Sequence, residues 1–261
     1  VIWARSKRNK NYASWLNLLI APGGSLGGAR PKASVIDARG ELWIAKFPSR
    51  NDELNVGAWE FVVHKLAGLA KITTAEAQIK KFSSPHDTFL TKRFDRQQKQ
   101  RIHFASAMTL LGKKDGECAD TGASYLDLVE FLMQQGSQVQ KDLEELWRRI
   151  VFNICVSNVD DHLRNHGFIL TEKGWRLAPA YDMNPSETGD GLKLNISKDD
   201  NSQSLALALE VAKYFRLKKS EANKIIAEVT DAVLQWRNLA KKFCSSKELF
   251  RMQHAFRVVC G

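Results

Sequence analysis

The chain has 261 residues, 44% of them hydrophobic and 26% charged, which excludes a disordered polymer and leaves enough material for two lobes sharing a cleft. A formal net charge of +10 permits contact with nucleic acid, acidic proteins or nucleotide phosphates without choosing among them, and the basic residues form no helix-turn-helix or Cys/His finger. No apolar run approaches the roughly 20 residues of a membrane span, and no signal-peptide core follows the basic start, so a cytoplasmic protein without membrane contact is expected.

The chain starts at Val1 rather than methionine, as a fragment or trimmed chain would. Asn11 to Ile20 has the make-up of a short amphipathic helix that must stop at Ala21-Pro-Gly-Gly24. Gly23-Gly-Ser-Leu-Gly-Gly-Ala-Arg-Pro-Lys32 then offers small residues, exposed backbone amides and two cations, the ingredients of a phosphate cradle. It matches neither Gly-x-Gly-x-x-Gly nor the Walker pattern, and a glycine-rich turn without a ligand has the same composition. Strands are expected at Ala33–Asp37 and Leu42–Phe47, joined by Ala38-Arg-Gly40. Lys46 alternates out of the second, either to reach α- and β-phosphates or to face solvent.

The helix expected over Val56–Ala70 carries Glu60 on a flank, placed either to pair with such a lysine or as a surface charge. Strands around Ala77–Phe82 and Thr88–Phe94 complete a small antiparallel sheet. Lys92-Arg-Phe-Asp-Arg96 leads out of it as a hinge whose backbone could hold an adenine ring. The remainder reads helical: Tyr125–Gln135 behind the capping pattern Ser124-x-x-Asp127, Leu143–Val156, Leu205–Phe215, a Ser220-capped helix over Glu221–Lys242, and Lys247–Val259. Trp147 and Trp236 are core positions. Cys118, Cys155, Cys244 and Cys260 lack the short spacings of metal and redox motifs and read as reduced thiols.

Chemistry concentrates in Asn158-Val-Asp-Asp-His-Leu-Arg-Asn-His-Gly-Phe168. In a kinase catalytic loop, an aspartate that accepts the substrate hydroxyl's proton precedes a magnesium-holding asparagine by five residues, and a second aspartate downstream completes the metal site. Asp160 and Asn165 have that spacing; a hairpin over Phe168–Leu170 and Trp175–Leu177 then returns the chain to Asp182. A polar surface loop has a similar composition, but the apolar run Ile150–Val156 before the segment and the hairpin after it are the rigid supports a site needs. Asp161, one residue off the spacing, is expected as a loop cap or salt-bridge partner. His162 is placed to line a nucleotide pocket or to act as a structural hydrogen-bond partner, and Arg164 to offset phosphate charge or to lie in solvent.

In combination and order, Ser25-Leu-Gly-Gly-Ala-Arg-Pro-Lys32, Ala45-Lys-Phe47, Arg93-Phe-Asp-Arg96, the catalytic segment and Pro179-Ala-Tyr-Asp182 resemble the kinase domain of the HipA family of bacterial toxin–antitoxin kinases, over nearly the full length. The resemblance implies Asp160 as catalytic aspartate, Asn165 and Asp182 as magnesium ligands, and ATP as the phosphoryl donor. It implies nucleotide contacts from Ser25, Gly27, Gly28, Lys32, Lys46 and His162, with Lys92 and Phe94 at the hinge, and autophosphorylation of Ser25. The implied partners are a serine-bearing protein substrate of the aminoacyl-tRNA synthetase class and a small DNA-binding antitoxin of the HipB type, with any DNA contact indirect or through basic surface. The best-known branch carries an additional N-terminal subdomain that this chain lacks; a separate protein supplying it and a shortened chain both stay open. The expected fold is α+β, a two-lobed protein-kinase-like fold with a small β-rich N-lobe over residues 1–96 and a helical C-lobe over 97–261. A small-molecule or lipid kinase of that fold and a catalytically silent binding module are the alternatives.

Overall fold

The computed structural model describes residues 30–97 and 100–260. The helix expected at 11–20 and the glycine-rich stretch with Ser25, Gly27 and Gly28 lie outside the described residues. Two compact units divide the chain: Val1–Gly57 with Glu76–Arg93, and Ala58–Ala75 with Phe94–Gly261.

In the first unit, β1 (Lys32–Ile36), β2 (Leu42–Lys46), β3 (Ala77–Lys81) and β4 (Asp87–Lys92) form one antiparallel sheet in the order β1-β2-β4-β3. The β1–β2 turn is built by Asp37, whose Oδ1 accepts from the backbone N–H of Arg39 and Glu41, both at 2.9 Å, while Gly40 takes the left-handed conformation (φ 78°) that a side chain would resist. Asp37 Oδ2 also accepts from Trp43 Nε1 at 3.1 Å, tying the turn to the core residue of β2. Register then pairs Val35 with Trp43 and Ala45 with Leu90, and these four buried side chains, with Phe47 against them, are the core of the unit. Lys46 falls on the alternate positions, opposite Lys32 across β1 and Phe89 across β4, with its Nζ 5.7 Å from the Phe89 ring centroid.

The second unit holds most of α1 (Val56–Leu69), the short ribbon β5 (Arg96–Gln97) and β6 (Gln100–Arg101), β7 (Phe104–Ser106) and α2 (Ala107–Leu110). These lead to α3 (Tyr125–Gln135), α4 (Val139–Cys155), β8 (Gly167–Thr171) and β9 (Gly174–Leu177). Helix α4 is buried all round over its last three turns, as the apolar run Ile150–Val156 demands, so the loop it feeds starts from a fixed point. Ser124 caps α3 as its spacing predicts, its Oγ accepting from Leu126 N–H at 3.0 Å while Asp127 reaches back to the Ser124 N–H at 3.2 Å. Strands β7, β8 and β9 form a three-stranded antiparallel sheet, confirming the expected hairpin.

The C-terminal helices are shorter than periodicity predicts. The one expected over Leu205–Phe215 is α5 (Leu205–Val211) followed by a 3-10 turn, Ala212–Phe215, closed by Arg216 at φ 56°. The next starts at Lys219 as α6 (Lys219–Val233), with Glu221 accepting from the Lys218 N–H at 2.8 Å, so Ser220 is not its cap; the chain breaks and resumes as α7 (Trp236–Ala240). The last is divided into α8 (Ser246–Met252), a 3-10 turn at Gln253–Phe256, and α9 (Arg257–Cys260). The breaks turn Phe215, Trp236 and Phe256 inward, none more than 2% exposed; Trp236 stacks on Phe256 at 4.3 Å and 4°, with Trp59 of α1 beside both. Burying three large rings outweighs the few helical hydrogen bonds given up. Glu60 of α1 is 5% exposed, which removes the surface-charge alternative for it.

Candidate phosphoryl-transfer site

The loop after α4 is shaped by its own backbone. Ser157 takes a left-handed turn (φ 48°), and Asn158 N–H donates to Asn153 O at 2.9 Å. Asn165 N–H closes onto His162 O at 2.8 Å, and the Asn165 side-chain amide donates to Asp160 O at 2.7 Å. That last bond fixes which way the carboxamide faces: its NH2 is engaged within the loop, and Oδ1 is left as the acceptor. The Asp160 side chain is 74% exposed, whereas Asp161 beside it is 1% exposed. One residue reaches outward and the next is buried.

Asp161 is a loop cap, one of the two expected alternatives, but a buried one, and it makes no ion pair among the described residues. Its Oδ2 accepts from the Tyr125 hydroxyl, and its Oδ1 from Lys193 N–H at 2.6 Å. Burial pushes its carboxyl up to about 7, against the lowering effect of those two hydrogen bonds. His166 Nε2 lies 3.1 Å from Asp161 O, and burial holds that imidazole down at about 3. His162 sits against the loop's own side chains, its Nε2 3.7 Å from Asp160 Oδ1 and 3.4 Å from Arg164 Nη2. Arg164 pairs with Asp115 at the surface, in keeping with its solvated alternative.

The second half of the site follows β9. Asp182 takes the left-handed conformation (φ 57°), and just beyond it Asn184 N–H donates to Asn158 Oδ1 at 3.1 Å. Tyr181 donates its hydroxyl to Arg164 O at 2.7 Å, and Phe94 packs on Tyr181 with ring centroids 5.9 Å apart. Asp160, Asn165, Asp182 and Phe94 are thus drawn to one locality by short-range links. Lys92 lies in the first unit, where it pairs with Glu41, and Lys32 and Lys46 lie on facing strands there.

No group of three or more His, Cys, Asp or Glu among the described residues could hold a metal by itself. A magnesium ion shared with phosphates needs only one or two carboxylates, and one carboxylate (Asp182) with one oriented carboxamide oxygen (Asn165) fits that demand.

Beyond Asp182 the chain runs to Ser204 with no helix and no strand longer than a single bridge, yet its middle is firmly held. Leu192, Leu194 and Ile196 are at most 2% exposed, and Arg251 clamps Glu187 at 3.0 Å. Lys193 O accepts from Ala119 N–H at 2.8 Å, and Asn195 exchanges backbone bonds with Ala123 and Tyr125.

The residues that sequence reasoning missed are Tyr125, Asn153, Asn158 and Arg149, all buried beneath the loop. The available signal was Asn153, a polar residue inside an otherwise apolar run.

A small antiparallel sheet in one unit, and in the other a helical body carrying an outward aspartate and an oriented asparagine on a loop, define a protein-kinase-like fold. The chain aligns with the HipA toxin of Shewanella oneidensis MR-1, solved with HipB and its operator DNA, at TM-score 0.69 and 17% identity over 92% of this chain and 64% of that one. It aligns with CtkA, a proinflammatory kinase of Helicobacter pylori, at TM-score 0.59 and 15% identity over 93% of this chain and 96% of that one. The chain belongs to the HipA-like C-terminal domain family, whose model matches residues 24–237. Among curated relatives, the kinase-named protein Y4mE of Sinorhizobium fredii is 24% identical over 181 residues, 61% of this chain and 41% of that protein. A kinase-named protein of Haemophilus influenzae is 33% identical over 101 residues, 36% of this chain and 29% of that one. The chain thus spans less than half the length of either curated relative.

Proposed function

We propose that the protein is a magnesium- and ATP-dependent kinase that transfers the γ-phosphoryl group to a serine or threonine of another protein. The observation that carries this is the pairing of an exposed Asp160 carboxylate with an Asn165 amide whose donor side is engaged by Asp160 O. Asp160 orients the acceptor hydroxyl and takes its proton as the oxygen bonds to phosphorus and ADP leaves. Asn165 Oδ1 and the Asp182 carboxylate would hold magnesium, which when bound would supply positive charge to the phosphates. On the resemblance to the HipA family, Lys32 and Lys46, facing each other on β1 and β2, are the nucleotide-contact candidates of the first unit, and Phe94 is a hinge candidate of the second.

Family membership and the kinase names of the relatives support this assignment. The Shewanella HipA solved with HipB and operator DNA supports a HipB-type antitoxin as the expected partner, and an aminoacyl-tRNA synthetase is the substrate class that the family resemblance alone implies. The test is incubation of the chain with γ-labelled ATP, magnesium and cell lysate. Label is expected in a serine or threonine of a protein with the native chain and absent with Asp160→Ala; label confined to a small-molecule fraction would overturn protein specificity. By calorimetry, Asp182→Asn should lose the magnesium-dependent part of ATP affinity.

Ser25 is the proposed autophosphorylation site and, if the glycine-rich stretch cradles ATP, an off-switch, since a phosphate on it adds about −1.5 to −2 charges that would compete with the nucleotide's own. Transfer activity should fall in proportion to Ser25 occupancy measured by mass spectrometry, and activity constant at full occupancy would remove the switch.

A further inference from the structure

The two halves of the site are joined underneath by an unbroken line of hydrogen bonds, buried except for a part-buried last link. Asp161 Oδ2 accepts from the Tyr125 hydroxyl; that hydroxyl oxygen accepts from Asn153 Nδ2 at 2.9 Å; Asn153 Oδ1 accepts from Asn158 Nδ2 at 3.0 Å; and Asn158 Oδ1 accepts from Asn184 N–H at 3.1 Å. The four side chains are between 0% and 4% exposed. The line begins one residue after Asp160 and ends two residues after Asp182. Its middle members stand on rigid supports, Tyr125 at the capped start of α3 and Asn153 in the last turn of α4. At its Asp161 end the second carboxylate oxygen holds Lys193 N–H, so the segment after Asp182 is gripped at two points.

A buried polar network is tolerated only when its members satisfy one another, and what such a network then gives is fixed geometry. An aspartate here could be satisfied by one backbone amide; a four-residue relay spanning two helices and two loops exceeds that need. We propose that Tyr125 is a positioning residue, which through Asp161 on one side and Asn153 and Asn158 on the other sets the separation between the proton-accepting Asp160 and the magnesium-holding Asp182. The inference rests on the kinase assignment and extends it to residues that touch neither substrate nor metal. Loss of the phenol oxygen leaves Asp161 Oδ2 and Asn153 Nδ2 without their partner while the ring still fills its place, so the fold is kept and the register of the two loops is loosened. A misplacement near 1 Å costs on the order of a hundredfold in rate.

The experiment compares the native chain with Tyr125→Phe and Asn153→Leu, the second cutting the relay one link further from Asp161. Three quantities are measured: affinity for magnesium-ATP by calorimetry, turnover in autophosphorylation and ATP hydrolysis, and amide hydrogen exchange at Asn184 and Lys193. The expected pattern in both variants is ATP affinity within about twofold of native, turnover lower by at least about tenfold, and exchange at the two amides faster by a similar factor. A merely structural role would reduce binding sites and turnover together. Native turnover in a folded variant, equal losses of binding and turnover, or failure of both variants to fold each overturns the positioning role. If the exchange change appears but the native chain turns over no ATP, the kinase assignment has failed and takes the inference with it by a separate route.

Discussion

Asp160 and Asp161 are chain neighbours with opposite fates, and their substitutions separate chemistry from stability. Asp160→Ala removes an exposed side chain with no hydrogen bond to lose except its long approach to His162, so melting should shift by no more than a degree or two while phosphate transfer disappears. Asp161→Ala leaves the buried Tyr125 hydroxyl proton and the part-buried Lys193 N–H without their acceptor and should cost about 2–4 kcal/mol, read as a lower urea midpoint. A destabilised Asp160→Ala beside a native-like Asp161→Ala would contradict the burial described.

The same neighbourhood predicts a pH signature. Asp161 titrates at about 7 in the fold against 3.8 ordinarily, so between those values the native state binds the extra proton and this group's contribution to stability falls as pH rises. His166 titrates at about 3 against 6.5, so there the unfolded chain binds the extra proton and the contribution rises with pH. From about pH 4 to 6.5 the two oppose each other. Asp161→Asn removes the falling contribution, and its urea midpoint should climb with pH across that window more steeply than the native one; identical slopes would refute the opposition. None of this is legible in the sequence. The Asp160-to-Asn165 spacing is local and readable, but burial of Asp161 depends on Tyr125, 36 residues upstream, and on Lys193, 32 residues downstream.

At the level of elements, the site depends on how β8 sits under β7. A methyl group on Gly167 would lie 2.3 Å from the Phe104 ring and 3.0 Å from the Tyr181 hydroxyl, so Gly167→Ala must push aside the side chains that flank Asp182. The expected result is a loss of about 1–3 kcal/mol together with weaker magnesium-ATP binding, checked by melting and calorimetry on the same sample. The β8–β9 hairpin, the sheet of the first unit and the capped start of α3 were all legible, because alternation, turn residues and capping patterns are local signals. The breaks after Val211, Val233 and Met252 were not, because they follow from where Phe215, Trp236 and Phe256 find room in the core, and periodicity carries no record of that.

Taken as a whole, the molecule should report its ligand through its stability. If magnesium-ATP binds the folded chain alone, a concentration a hundred times Kd adds about 2.7 kcal/mol, and melting should rise by several degrees with magnesium present and much less in Asp182→Asn. An equal rise in that variant would take Asp182 out of the metal site. The run from Asp182 to Ser204 has a different consequence. Its composition and lack of regular structure make it look like the place where a protease would cut first, and Lys193 and Lys198 offer trypsin two targets inside it. A protease must draw several residues of extended backbone into its cleft, and here that means pulling Leu192, Leu194 and Ile196 out of the interior together with the backbone bonds of Lys193 and Asn195. Cleavage after Lys193 should therefore keep pace with unfolding of the surrounding helices instead of preceding it, and a chain nicked at Lys193 should not accumulate during digestion of the native protein, whereas the exposed Lys198 has no such protection.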